Sequence, residues 1–170
     1  MSENDDIKLR VVDIVDGTSV DGPGLRTSIY FAGCDHRCPG CQNPQTWDAC
    51  GGIPFDEAAK AELFADLSRD YISGITFSGG DPLYPANRET VGALIREIRR
   101  TLPGKTIWLY TGSLFEKIRD LPFLPMIDVI VDGPYIEALR DTQLHWKGSS
   151  NQRVIDVART LSEGKIVLWA

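Results

Sequence analysis

Two spacings of apolar residues alternate along the chain. Residues 27–32 (TSIYFA) are β-branched, aromatic and apolar, which predicts a strand. Over 55–70, Phe55, Ala59, Leu63 and Leu67 recur at every fourth position and give one apolar face, which predicts a helix. Residues 72–77 (ISGITF) return to strand character. The clearest helix spans 87–102. There Val91, Leu94, Ile95, Ile98 and Leu102 form one stripe, Arg96, Glu97, Arg99 and Arg100 fall mostly outside it, and Asn87 is placed to cap the start. Residues 106–110 (TIWLY) are a third strand. Ser113 and Glu116 then make a capping-box pattern ahead of a short helix carrying Leu114, Ile118 and Leu121. Residues 127–131 (IDVIV) are a fourth strand, 153–157 a fifth, and 166–169 a last short one.

Strands alternating with helices predict parallel βα units joined by right-handed crossovers. A complete barrel needs about eight strands and about 250 residues. The expected fold is therefore α/β: a partial, open TIM-like barrel of about five to six parallel βα units, or a curved doubly wound sheet of the same length. One domain is expected over residues 1–170, with 1–8 frayed. Nearly every strand ends in a Gly-rich or polar loop: Gly33-Cys34, Ser78-Gly79-Gly80-Asp81-Pro82, Thr111-Gly112 and Asp132-Gly133-Pro134. In parallel sheets, sites gather at the carboxyl ends of strands, so these loops are expected to share one rim.

Composition narrows the function classes. The chain has 170 residues, 42% of them hydrophobic, which supports one domain with its own core. Its 18 Lys and Arg are outnumbered by 24 Asp and Glu, and the net charge of −6 argues against a broad nucleic-acid-binding face. No apolar run is long enough to span a bilayer, and the acidic, polar N-terminus is unlike a signal peptide. A cytoplasmic protein with neither membrane nor nucleic acid as partner is expected.

The candidate chemistry lies in the cysteines. Three of the four, Cys34, Cys38 and Cys41, fall within eight residues in C-x3-C-x2-C spacing, which reads as metal or redox chemistry rather than a disulfide framework. Cys50 stands apart and reads as a free thiol. A structural zinc site would want a fourth ligand, with His36 or Cys50 the candidates. A 4Fe–4S cluster normally takes four cysteines, so three would leave one iron open to a small molecule. An electron carrier would usually supply all four. Pro39 and Gly40 let the loop wrap tightly in any of these cases. His36 and His145 are ambiguous between solvent-facing and acid–base roles.

The cysteine loop after the first strand, followed by Gly79-Gly80-Asp81-Pro82 after the second, resembles the radical S-adenosylmethionine superfamily, with Asp in place of that superfamily's Glu. Val20-Asp-Gly-Pro-Gly-Leu-Arg26 and Cys41-Gln-Asn-Pro-Gln-Thr-Trp47 resemble the activating enzymes of glycyl-radical enzymes. Ser78 to Leu83, Val131-Asp-Gly-Pro-Tyr135 and Trp146-Lys-Gly-Ser-Ser-Asn-Gln152 are similar to the branch that activates anaerobic (class III) ribonucleoside-triphosphate reductase. Together these motifs cover most of residues 12–157. Gly40 departs from the superfamily, where an aromatic residue often precedes the third cysteine.

The resemblance implies a 4Fe–4S cluster on Cys34, Cys38 and Cys41, and S-adenosylmethionine held by Gly40, Cys41, Gln42, Gly79, Gly80 and Asp81. It implies reductive cleavage to methionine and a 5′-deoxyadenosyl radical. Hydrogen abstraction from a glycine of the partner reductase follows, with an electron donor such as flavodoxin. Asp81 is expected to accept from the methionine ammonium. Arg26 is expected to pair with a carboxylate or face a partner, Asn43 to order the loop, and Trp47 to be core. Asp132, Gly133 and Ser149 to Asn151 are expected along the rim. Activation of pyruvate formate-lyase, or action on a small molecule, are the alternatives.

Overall fold

The computed structural model describes residues 9–41 and 43–170. The chain opens with β1 (Arg10–Thr18) and β2 (Arg26–Phe31), an antiparallel pair. A short strand, β3 (Ile53–Pro54), adds to the other edge of β1. Then follow α1 (Glu57–Leu67), β4 (Gly74–Gly79), α2 (Arg88–Thr101), β5 (Thr106–Tyr110), α3 (Phe115–Ile118), β6 (Val129–Asp132), β7 (Arg153–Asp156) and α4 (Val157–Glu163). All seven strands form one sheet in the order β3-β1-β2-β4-β5-β6-β7.

Only β2, β4, β5 and β6 run parallel, and β7 returns antiparallel to β6. The five to six parallel units expected from the sequence are corrected to four parallel strands between antiparallel flanks. Another parallel strand would need a crossover of about a dozen residues, usually helical. Instead, residues 133–152 fold into a flap tied by the Arg140↔Ser149 bridge, and they lead the chain back beside β6. The strand expected at 166–169 is reduced to a single bridge, Ile155↔Leu168.

The parallel strands follow one another without reversal, so there is no doubly wound switch point. Right-handed crossovers then put the helices on one face. The core confirms this. Ile29, Phe31, Ile75, Phe77, Ile107, Leu109 and Ile130 pack with Leu63 and Leu67 of α1, Val91, Leu94, Ile95 and Ile98 of α2, and Ile118 of α3. Phe31 and Phe77 stack at 5.8 Å across adjacent strands.

Helix ends depart from the sequence reading in two places. Asn87 does not cap α2. It is buried, and its amide donates to the Ala32 carbonyl beneath the cysteine loop (2.9 Å). Ser113 and Glu116 form no capping box. The Phe115 N–H at the start of α3 is bound by Asp132 (2.8 Å), and Glu116 pairs with Arg153. The caps of α1 and α4 are aspartates: Asp56 accepts from the Ala59 N–H and Asp156 from the Arg159 N–H.

The opposite sheet face carries Arg26, Ser28, Tyr30, Thr76, Trp108, Tyr110 and Val131. Its amino end is sealed. Arg26 is fully buried over the Trp108 ring (5.7 Å) and donates to Thr76, Pro23, Ile75 and Thr106. Burial lowers its pKa to about 10. Asp21 accepts from the Ser28 and Tyr30 hydroxyls (3.1 and 2.7 Å). Arg26 is thus a structural plug rather than an exposed partner contact, while Val20 and Leu25 of the same motif are exposed.

Candidate functional site

The carboxyl ends of β2 and β4 are locked together before either loop begins. Gly80 N–H donates to the Phe31 carbonyl (2.9 Å) and Asp81 N–H to the Gly33 carbonyl (2.8 Å). On the far side, Gly33 N–H donates to the Thr46 carbonyl (2.7 Å) and Cys34 N–H to the Trp47 carbonyl (3.3 Å). Residues 33–47 therefore form a closed loop whose two ends are pinned side by side. Inside it, Cys41 N–H donates to the Cys38 carbonyl (3.1 Å), and Asn43 N–H donates to the Cys41 sulfur (3.4 Å).

Gly79 and Gly80 have a clear physical reason. Gly79 has φ +105°, and a Cβ there would stand 2.3 Å from the Phe31 nitrogen. At Gly80 a Cβ would stand 2.5 Å from the Gly33 carbonyl oxygen and 2.8 Å from that of Thr46. The two glycines are demanded first by the protein's own backbone, at the base of the cysteine loop.

Asp81 is the hub of the rim. It is 2% exposed. One carboxylate oxygen accepts from the Thr111 hydroxyl (2.9 Å) and the Gly112 N–H (3.1 Å), and lies 2.6 Å from His36 Nε2. The other accepts from the Leu83 N–H (2.9 Å). His36, from the middle of the cysteine loop, fits because Gly112 has no side chain: a Cβ there would be 2.5 Å from its ring. The hydrogen bond to Asp81 raises the His36 pKa against the opposing effect of burial. Three strand-end loops are thus tied through one carboxylate.

These loops surround an open cavity of about 210 Å³. Cys34, Cys38, Cys41 and Asn43 line one side, Gly79, Gly80, Tyr110 and Gly112 the middle, and Gly133, Tyr135, Gly148 and Gln152 the other. All three clustered cysteines are free thiols on this cavity, whereas Cys50 is exposed and does not line it. Burial pushes the Cys34 thiol up, so a thiolate there needs a cation beside it. Among the described residues, no three His, Cys, Asp or Glu groups could clasp a single metal ion. A cluster, which takes one thiolate per iron, spreads its ligands wider than zinc does. The donor set fits an iron–sulfur cluster.

The remaining expected residues fall out as follows. Gly40 (φ +77°) leaves room for the Glu137 carboxylate, which sits where a Cβ would go. Gln42 lies outside the described residues. Asp81 stands behind the cavity wall, with both oxygens engaged. Trp47 is half-buried under the Arg37 guanidinium (5.7 Å). Asp132 is fully buried and bonded to Arg153. Ser149 accepts from the Ile136 N–H (3.2 Å) within the flap. His145 stacks on Trp146, away from the lining. Tyr110, Tyr135, Gly148 and Gln152 are site residues to which the sequence reading gives no role, although the last three lie in motifs that carry the resemblance. Tyr110 and Tyr135 close or follow strands, and that position is the available signal.

Comparison with known proteins agrees with this arrangement. The family model described as "4Fe-4S single cluster domain" matches residues 20–155. Three relatives each carry the name anaerobic ribonucleoside-triphosphate reductase-activating protein. The one from Enterobacteria phage T4 is 46% identical over 135 residues, 79% of this chain and 86% of that one. That of Escherichia coli K12 is 41% identical over 139 residues, 79% and 90% of the two chains. That of Haemophilus influenzae is 37% identical over 137 residues, 78% and 88%.

Proposed function

This chain belongs to the family of anaerobic ribonucleoside-triphosphate reductase-activating proteins, and we propose that it holds a 4Fe–4S cluster on Cys34, Cys38 and Cys41 and uses it with S-adenosylmethionine to activate such a reductase. The observation that carries this reading is the shared cavity: three free cysteines and the Gly79-Gly80 turn meet at the carboxyl end of the parallel strands. When bound on Cys34, Cys38 and Cys41, the cluster would supply the single electron for reductive cleavage of S-adenosylmethionine, the chemistry needed to draw a hydrogen atom from a glycine of the reductase.

The chain's own residues do the positioning. The pinned ends of the cysteine loop fix where the three sulfurs stand. Asp81 holds that loop, through His36, to the loop after β5. Its role in this reading is to set the shape of the site, while the backbone of Gly40, Cys41, Gly79 and Gly80 meets the cofactor. The helix-free face of β2, β4, β5 and β6, partly packed by Trp146 and Trp169, serves as the inside of a partial barrel, closed at the bottom by the Arg26 plug. A closed bottom and an open mouth leave one way in, which suits a protein substrate that caps the mouth and excludes water.

Among the described residues no helix is long and apolar enough to cross a membrane. The reading is of one domain acting in the cytoplasm beside its reductase and a flavodoxin-type donor. The relatives' shared name favours the ribonucleotide reductase over pyruvate formate-lyase as target. The test is direct. Reconstituted, reduced protein with S-adenosylmethionine should give an anaerobic ribonucleotide reductase a glycyl-radical signal, and Cys38→Ala should not. A radical on pyruvate formate-lyase alone, or turnover of a small molecule instead, would overturn the assignment of the target.

A further inference from the structure

Most buried polar groups in this protein have partners, which makes the exceptions informative. Two of them stand on adjoining segments at the far side of the cavity. The Tyr135 hydroxyl is buried and has no hydrogen-bond partner, and Tyr135 lines the cavity. Asn151 donates its amide N–H to the Pro134 carbonyl (2.7 Å), which leaves its buried Oδ1 with no partner. The Tyr135 ring is held in place against Gly148, where a Cβ would stand 3.2 Å from it. A buried, unpaired hydroxyl destabilises the folded protein unless a ligand completes it.

The sheet order says which part of a ligand that would be. Cys34 follows β2, Gly79 closes β4, and Tyr135 follows β6. At a strand spacing of about 4.8 Å, β2 and β6 are roughly 14 Å apart. This inference rests on the reading that S-adenosylmethionine occupies the cavity with its amino-acid end at the cysteines. The nucleoside must then extend across β5 toward β6. We infer that Tyr135 binds the adenosine half of S-adenosylmethionine through its hydroxyl, opposite the cluster. Ribose hydroxyls and adenine nitrogens both offer the polar atoms such a phenol needs.

Tyr135→Phe removes the hydroxyl and keeps the ring on Gly148. Because that hydroxyl is unpaired without ligand, the cluster-loaded, ligand-free variant should be at least as heat-stable as the parent and carry the same iron. Its affinity for S-adenosylmethionine, followed by equilibrium binding under anaerobic conditions, should fall about three- to tenfold. At saturating S-adenosylmethionine the electron paramagnetic resonance spectrum of the reduced cluster should match the parent's, since the amino-acid end is untouched. Unchanged affinity overturns the inference. So does loss of iron or heat stability, which would make the hydroxyl structural, or an altered spectrum at saturation, which would place it at the cluster end. A parent protein that carries the cluster but binds no S-adenosylmethionine would sink the cofactor reading itself, and the inference with it.

Discussion

The two ends of β2, β4 and β5 are built from similar materials and treat them differently. At the amino end, Arg26 reaches five acceptor contacts, Asp21 takes two hydroxyls, and Trp108 covers the guanidinium. The charged groups there, Arg26 and Asp21, are engaged by other groups of the same chain, although the neighbouring Thr27 hydroxyl is buried without a partner. At the carboxyl end, Asp81 is engaged in the same way, but the groups it supports are not. Cys34, Cys38 and Cys41 stay free, and the Tyr135 hydroxyl stays unpaired. Burial without partners costs stability, so unpaired groups that line a cavity, as these do and Thr27 does not, mark where something else binds. The difference between a plug and a site lies in what remains unsatisfied along a cavity, not in how polar each end is.

Mutations should separate the ends. The largest effect is expected at the cysteines. Cys34→Ala, Cys38→Ala or Cys41→Ala should remove most of the iron from anaerobically reconstituted protein, while Cys50→Ala keeps it. The metal-free Cys38→Ala protein should unfold in urea within about 0.5 kcal/mol of the metal-free parent, because among the described residues no hydrogen bond depends on that half-buried thiol. Substantial unfolding of the metal-free Cys38 variant would show that the site end is also structural.

Arg26→Met should do the reverse. It removes the donors to the buried Thr76 hydroxyl and Ile75 carbonyl and the guanidinium packed on Trp108, at a cost of about 3–5 kcal/mol in the stability measured by urea unfolding. Protein that does fold should still take up iron. A loss of iron uptake in folded Arg26→Met protein would mean the plug shapes the rim.

Gly80→Val and Asp81→Asn test the junction between the ends of β2 and β4. The valine meets the Gly33 and Thr46 carbonyls that pin the cysteine loop, so cluster yield and stability should fall together, the latter by about 2–4 kcal/mol. The Asp81→Asn change puts an amide donor or a single acceptor where one oxygen now serves Thr111, Gly112 and His36, costing about 1–3 kcal/mol. Normal cluster yield in Gly80→Val would show that the loop tolerates displacement of its base.

What the sequence discloses follows the range of each interaction. The cysteine loop is legible because its spacing is local, and the parallel strands because β-branched runs such as Thr106 to Tyr110 are buried on both faces. β1 is not, since Asp13 and Asp16 interrupt its apolar residues and its pairing with β2 shifts register twice. The direction of β7 depends on the flap before it, which carries no periodic signal. α4 escapes a sequence reading because it has little apolar stripe, burying only Val157 and Thr160. Asp81 reads as a ligand contact in sequence because its partners lie 45 and 30 residues away in the chain. Tyr135 ends a motif that carries the resemblance, but its role is not legible there, and the absence of a partner for its hydroxyl is what distinguishes it in the fold.

The smallest expected effect concerns a charge at the site end that is engaged but exposed. Arg153 bridges buried Asp132 and Glu116, whose side chain is 52% exposed. The hydrogen bond from Arg153 holds the Glu116 pKa below the usual glutamate range. A carboxylate depressed on folding adds stability above its unfolded pKa and loses it as pH falls through the folded value. Glu116→Gln should therefore be less stable than the parent at pH 7 by no more than about 1 kcal/mol, the range for surface pairs. The gap should narrow as pH falls below the ordinary glutamate range and close once the parent's Glu116 is protonated too. Arg26 keeps its charge across that range, so the cost of Arg26→Met should not close in the same window. A Glu116→Gln gap that persisted at low pH would place the contribution of Glu116 in packing rather than charge, and the two ends would then differ less than their exposure suggests.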